Sequence, residues 1–339
     1  MAKKMSNLKK AVLIVLLSLI IVLVIAGLTD IKLTIEAIRR ISLSWFAYVL
    51  LLVSFDWLAE TLTVWMFARS YRAKIPLLYL FKITLVGRFF SAITPFSTGG
   101  QPAQIAFLGK RGTEYGEATA MLVSRFIFYQ IVVTAISVAG LIRAYSLFEK
   151  KISNFSLLAF FGFALNTFVL FLLFLFTLNR NLAEGLISKI SKLLVALRIV
   201  KNRETFQKNL IEQTRLFHEC MLKTTKDLFT TSLALIAASL EVWAKVSITY
   251  FVGRSLGITC SYMDVIMTQL VVFLVASFVP TPGATGASEG VYTLFFKHLF
   301  GPKTVAALLV WRFFTYYLNI LIGGIATAHE LGKFNIKKT

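Results

Sequence analysis

The chain has 339 residues, of which 57% are hydrophobic and 15% charged, and its mean hydropathy is +0.76. A soluble domain of this length carries about 25% charged residues, whereas stretches 11–28 and 155–178 carry none, so composition argues against a soluble globular domain and for an all-α polytopic membrane protein. The net charge of +20 would suggest nucleic acid in a soluble protein; here it sits in loops beside anionic lipid head groups, and no nucleic-acid partner is expected.

In chain order, the apolar run 11–28 follows a basic start, residues 1–10. It is longer than a usual signal-peptide core and no Ala-x-Ala site follows, so it is expected to be an uncleaved first transmembrane helix. Further spans are expected at 44–68, 118–142, 155–178, 228–252 and 304–328, each long enough to cross about 30 Å of hydrocarbon. Two apolar pairs are shorter and broken. One is 77–93 with 96–110, divided at Thr94-Pro95; the other is 263–279 with 285–300, divided at Pro280-Thr281-Pro282-Gly283. Pro and Gly end helices and free backbone groups, which is tolerated at membrane depth only inside protein or beside a wet cavity. Each pair is either two half-helices entering and leaving one face, or two short full crossings.

With the N-terminus inside, 22 Lys and Arg fall in the inner segments 1–10, 69–76, 110–117, 179–227 and 329–339, against 9 in the outer ones. That bias puts both termini on the cytoplasmic side of the cell membrane. It makes 179–227 a basic cytoplasmic loop, read either as an amphipathic helix on the membrane surface or as a plain topogenic signal. Cys220 and Cys260 then lie on opposite sides, so no disulfide is expected. His218-Glu219-Cys220 is a lone triplet without metal-ligand spacing, and neither a metal nor any other cofactor is expected.

A shift of 187 residues lays the chain on itself. Thr94, Pro95, Thr98 and Gly99 fall on Thr281, Pro282, Thr285 and Gly286; Lys110 falls on Lys297; Arg125-Phe126 and Tyr129 fall on Arg312-Phe313 and Tyr316. Between span 44–68 and its counterpart 228–252 the number of crossings is odd, however the broken pairs are drawn. The halves therefore have opposite orientations. The expected organisation is one membrane domain, 1–339, with repeat 1 at 44–142, a connecting span 155–178 and an inverted repeat 2 at 228–328. Inverted repeats with paired broken helices characterise transporters whose site lies near the bilayer midplane.

Candidate substrate-binding residues follow. Arg125 and Arg312 sit about 10–12 Å into their spans. Arginine in hydrocarbon usually faces a polar interior, and a guanidinium can grip a phosphate with two hydrogen bonds. The competing reading is structural ion pairing with Asp56, Glu60 or Glu241. Lys82 and Arg88 also lie in or near spans, and Glu241 and Lys245, four apart, can pair with each other. The broken turns carry Thr94, Ser97, Thr98, Gly99, Gly100 and Gln101, and Thr281, Gly283, Thr285, Gly286, Ser288 and Glu289. Each opens a half-helix whose free N–H groups form an anion site, unless it is a plain packing turn. Glu289 could titrate, bind a cation, receive an ammonium head group or pair with Arg312; its counterpart under the shift is Pro102. No nucleophile elbow, P-loop, dinucleotide or zinc motif is present, so no catalytic residue is named.

The segments ITPFSTGGQPAQIAFL (93–108) and VPTPGATGASEGVYTLFF (279–296) resemble the two hallmark segments of the lysylphosphatidylglycerol synthase transmembrane-region family, described as flippase-like integral membrane proteins. The second fits the family's Pro-x-Pro-Gly-x-x-Gly-x-x-Glu-Gly pattern through Pro280, Pro282, Gly283, Gly286, Glu289 and Gly290. The first turn departs from the second by Phe96-Ser97 in place of Gly283-Ala284, which leaves its shape open. The resemblance covers about 40–330 and implies a flippase-like unit. In bifunctional members this region flips aminoacylated phosphatidylglycerol while a separate soluble domain makes it; the longest polar stretch here, 179–227, is too small for such a domain, so synthase activity is not carried over. The expected function is a flippase for an anionic phospholipid, such as aminoacyl-phosphatidylglycerol, or for a polyprenyl-phosphate-linked lipid. Alternatives are the membrane component of a phosphatidylglycerol lysyltransferase-type modification, and a secondary transporter of a small anion. Expected partners are membrane lipids with phosphate head groups and a separately encoded synthase or glycosyltransferase; an oligomer stays open.

Overall fold

The computed structural model describes residues 31–152, 154–182, 184–185, 203–276, 279 and 281–336. The expected first span, 11–28, lies outside them, as does 186–202 of the basic loop. Among the described residues all regular structure is helical, and five helical runs are long and apolar enough to cross a membrane: Leu43–Ser70, Tyr115–Phe148, Phe155–Leu178, Leu228–Ser255 and Ala287–Lys333. The chain is an all-α polytopic membrane protein.

A short helix α1 (Ile31–Arg39) leads into α2 (Leu43–Ser70). Helix α2 runs 28 residues without a Pro or Gly, so nothing interrupts its hydrogen bonds. Its counterpart, α8 (Leu228–Ser255), also has 28 residues and starts where the Asp227 carboxylate accepts the Thr230 N–H at 3.0 Å. Adding 185 to both ends of α2 gives both ends of α8. The two helices pack together as the centre of the molecule. They are pinned at both ends: the Ser42 N–H donates to the Ser255 carbonyl at 2.8 Å, and the Ser70 hydroxyl donates to Asp227 Oδ2 at 2.8 Å. The start of each therefore meets the end of the other, and the pair is antiparallel along its whole length.

The broken pairs are helical on both sides of their breaks. Helix α3 (Leu77–Ala92) starts after Pro76 and gives way before Pro95, and α4 (Gly100–Lys110) returns against it. Helix α9 (Tyr262–Ala276) and α10 (Ala287–Phe300) form the second pair. Gly100 makes the first pair close: a Cβ there would stand 2.7 Å from the Gly87 carbonyl oxygen.

The turns inside the two pairs match at the 187-residue shift. Ser97 and Thr98 N–H groups donate to Thr94 and Pro95 carbonyls at 3.2 and 3.1 Å, and Ala284 and Thr285 do the same to Thr281 and Pro282 at 3.1 and 3.1 Å. The Thr98 and Thr285 hydroxyls turn back onto the Pro95 and Pro282 carbonyls at 2.9 and 2.6 Å. Phe96 and Ser97 take φ of 51° and 56°; Gly283 and Ala284 take 56° and 52°. The Phe96-Ser97 departure therefore leaves the turn shape unchanged. Pro95 and Pro282 face each other in an antiparallel bridge, so the two turns meet.

Around this centre, α5 (Tyr115–Phe148) is longer than the expected 118–142, and α6 (Phe155–Leu178) lies at the outside, exposing Phe160, Phe161, Phe168 and Phe171. Helix α7 (Arg203–Lys226) is the longest described part of the basic loop. It docks on the bundle: Gln213 Oε1 accepts the Gly116 N–H at 2.7 Å, and His218 Nδ1 lies 3.0 Å from the Thr177 carbonyl oxygen. The span expected at 304–328 is not one regular helix. A 3₁₀ turn, Gly301–Lys303, precedes α11 (Thr304–Arg312); a five-residue π-helical turn, Phe313–Tyr317, follows directly on Arg312; then α12 (Leu318–Ile336) runs on against α3.

Candidate functional site

Asp56 stands 13 residues from the start of α2 and 14 from its end, and Glu241 holds the same place in α8. At 1.5 Å per residue each is about 20 Å from either helix end. Four carboxylates and four cations gather around this level. Arg88 of α3 binds Asp56 Oδ2 through Nη1 at 2.5 Å and Glu60 Oε2 through Nη2 at 2.6 Å. Arg125 of α5 donates to Glu241 and lies 3.5 Å from Glu60. Lys245 sits between Glu241 at 3.3 Å and Asp56 at 3.8 Å. Arg312 donates to Glu289 Oε2 at 2.7 Å. Among the described residues the eight charges sum to zero. Glu241 and Glu289 are fully buried, and an isolated ion at such a place would be very costly.

Glu289 has a second duty. It is the third residue of α10, and its Oε2 also accepts the Gly286 N–H at 2.7 Å, the carboxylate half of a capping box. The Ala284, Thr285 and Ser288 N–H groups of that turn are also taken, by the Thr281, Pro282 and Ala284 carbonyls at 3.1, 3.1 and 2.9 Å. In the first turn the cap comes from Thr94, whose hydroxyl accepts the Gly99 N–H at 2.8 Å and donates to the Phe90 carbonyl at 2.6 Å. Each arginine also lies over the tyrosine four residues on: Arg125 is 5.1 Å from the Tyr129 ring centre and Arg312 is 5.1 Å from that of Tyr316.

A cavity of about 190 Å³ opens beside these groups. Asp56 and Trp57 wall it from α2, Arg88 from α3, Lys245 from α8, Gly283 from the second turn and Ser288 from the start of α10. Trp311, Arg312, Phe314, Thr315 and Asn319 line it from α11, the π turn and α12, and Val272, Phe273 and Ala276 of α9 add an apolar side. Trp57 Nε1 donates to Asn319 Oδ1 at 2.9 Å, and the Asn319 amide donates to the Thr315 carbonyl at 2.6 Å. The π turn thus carries wall residues, a common use of such turns. Gly283 is needed for closeness as well as for its positive φ: a Cβ there would lie 3.0 Å from Tyr316 Cδ2 and 3.2 Å from the Ala92 carbonyl oxygen.

Of the residues singled out in the sequence, Arg312, Gly283, Ser288, Asp56 and Lys245 line this cavity. Glu289, Thr285 and Gly286 stand behind it as partners of Arg312, Tyr316 and the α10 start. Pro282 makes the bridge with the first turn, and the Thr281 carbonyl before it accepts the Ala284 N–H. Arg125, Glu60 and Glu241 form the ion-pair layer and are not among the wall residues. Thr94, Ser97, Thr98, Gly99, Gly100 and Gln101 lie in or beside the first turn, outside the wall; Ser97 and Thr98 are exposed. Sequence reading gave Arg88 no role and passed over Trp57, Trp311 and Asn319. Arg88 carried a usable signal, a guanidinium inside an apolar run; the indoles and the amide carried none.

Residues 12–323 match the family described as the lysylphosphatidylglycerol synthase TM region. This chain belongs to that family. Two archaeal proteins resemble this family member along nearly their full lengths. A UPF0104 membrane protein of Archaeoglobus fulgidus is 28% identical over 96% of this chain and 98% of its own. A UPF0104 membrane protein of Pyrococcus horikoshii is 20% identical over 93% of this chain and 96% of its own. The resemblance drawn from the two turn segments therefore holds across the chain, and those two segments meet at Pro95 and Pro282.

Proposed function

We propose that this protein moves a lipid with a phosphate head group between the leaflets of the cell membrane, holding the head group in the cavity halfway across. The observation that carries this reading is the cavity's wall. Arg88, Lys245 and Arg312 reach it from three helices, at a level about 20 Å from the ends of α2 and α8. Guanidinium groups suit phosphate, and a volume of about 190 Å³ suits a head group with its acyl chains left outside.

The alternating arrangement is an inverted repeat. Supporting it are the antiparallel α2 and α8 with identical lengths, and turns that share their hydrogen bonds and left-handed residues at a constant shift. The broken pairs are re-entrant, entering from opposite faces with their turns touching; the Pro95–Pro282 bridge favours this over short full spans. Both termini are cytoplasmic, which the basic helix α7 and the inner-loop charges support.

The test is leaflet transfer in proteoliposomes. Purified protein should expose acyl-labelled phospholipid of the inner leaflet to a quencher added outside, and Arg88→Ala and Arg312→Ala should not. Protein-free rates for the wild type overturn the proposal.

A further inference from the structure

We infer that the cavity takes a zwitterionic head group, one anionic group and one ammonium with no net charge, and that Asp56 is the acceptor for the ammonium. This rests on the reading of the cavity as a head-group site and narrows what it accepts.

Charge balance comes first. The four carboxylates and four cations in and behind the cavity wall are equal in number and so can cancel one another, and each has a partner within ion-pair distance. A ligand with net charge would leave one charge uncompensated at a depth where lone charges are least tolerated. A zwitterion adds none. A phosphate drawing on Arg312 loosens the hold on Glu289, and an ammonium on Asp56 releases Arg88 and Lys245 toward the phosphate. The whole exchange stays neutral.

Unmet hydrogen bonds point the same way. Trp311 Nε1 and Arg312 Nε are buried donors with no hydrogen-bond partner among the described residues, and both residues wall the cavity. Asp56 Oδ1 is a buried acceptor in the same position. Its neighbouring cation, the Lys245 ammonium, stands at 3.8 Å, too far to donate. Buried polar groups are nearly always paired, so each orphan needs a reason. A ligand offering only acceptors would satisfy the donors and repel Asp56. A ligand with an ammonium beside its anionic group satisfies both sets, and the Trp57 ring next to Asp56 is a favourable surface for a cation.

The shared chemistry could reach the cavity as a phospholipid head group or as a free solute, and the experiment separates them. The full chain, in detergent, is titrated with soluble glycerophosphoethanolamine, with soluble glycerophosphoglycerol, and with micelles doped with phosphatidylethanolamine or phosphatidylglycerol, reading the melting temperature. The expected result is a half-saturating concentration about tenfold lower for each ethanolamine form than for its glycerol counterpart, with the difference gone in Asp56→Asn. Equal or tighter binding of the glycerol forms overturns the inference, as does a shift by neither, or an Asp56→Asn variant that keeps the preference. If Asp56→Asn does not fold, the wild-type ratio decides alone. Tighter binding of the lipid than of the soluble head group supports the leaflet-transfer reading. Equal binding of the two sinks that reading and leaves the zwitterion standing.

Discussion

Replacing Glu289 with Gln isolates the worth of its charge. A glutamine keeps an oxygen for the Gly286 N–H, so the start of α10 stays capped. What it loses is the ionic half of the bond to Arg312, whose side chain is 4% exposed. The guanidinium then remains charged and buried with little to balance it, and breaking one side of such a pair costs about 3–5 kcal/mol. Arg312→Gln strands the fully buried Glu289 in the same way and costs a similar amount. The double variant strands neither, so its loss should be well under the sum, with a coupling of at least about 2 kcal/mol. Unfolding by denaturing detergent in mixed micelles, run on all four proteins, measures the cycle. Losses that add to within about 0.5 kcal/mol refute the pair as an energetic unit. Leaflet transfer should stay absent in the double variant although its stability returns, since Arg312 is also a wall residue.

Gly283→Ala forces a side chain into a left-handed turn and against Tyr316; it should cost at least about 1 kcal/mol, while Gly290→Ala, whose Cβ would meet nothing within 4 Å, should be neutral or slightly stabilising on the same thermal melts. Arg125→Gln should lower stability through Glu241 yet retain more transfer than Arg312→Gln measured at equal folded fraction, because Arg125 is not a wall residue; equal loss would place Arg125 in the site itself. The Asp227 carboxylate, at the exposed junction of α7 and α8, is held below its ordinary pKa by the Thr230 N–H and the Ser70 hydroxyl. Its contribution is present above the unfolded value of about 3.9 and is lost as pH falls through the lower folded value, so melts of wild type and Asp227→Asn should converge only in acid. Cys260, half-buried in the loop before α9, should react with a membrane-impermeant maleimide from outside intact cells, slowly because burial raises its thiol pKa; Cys220, buried on α7 with its pKa pushed up to about 11, should not. Labelling of Cys260 only after the membrane is opened would reverse the proposed orientation.

The spans were legible because apolar run length is a local property, and four of the runs stand at or near their expected places, while the fifth, Ala287–Lys333, joins the expected half-helix 285–300 to the span 304–328. The turns were legible because Pro and Gly fix backbone shape wherever they occur, so Thr94–Gly99 and Thr281–Gly286 advertised their likeness. The 187-residue shift pairs Arg125 with Arg312, but Glu289 falls on Pro102, and that difference gives Arg312 a private partner beside the cavity while Arg125 shares carboxylates with Arg88 and Lys245. The role of Arg88 depends on α3 leaning against α2, contacts 28 and 32 residues apart in the chain, which no periodicity encodes. The π turn was hidden too: Phe313–Tyr317 holds only aromatic and β-branched residues, weaker helix formers than Ala and Leu, but low propensity alone does not specify a π turn.

Helices α2 and α8 are fastened at both ends, and Asp56 and Glu241 lie at matching points along them. Sliding one helix past the other would break both fastenings together, so the pair stands as a post that resists sliding along its length. A site at the middle of such a post is as far from one leaflet as from the other, and the post itself favours neither direction. On the proposed leaflet-transfer reading, the supply of lipid in each leaflet would then set the direction.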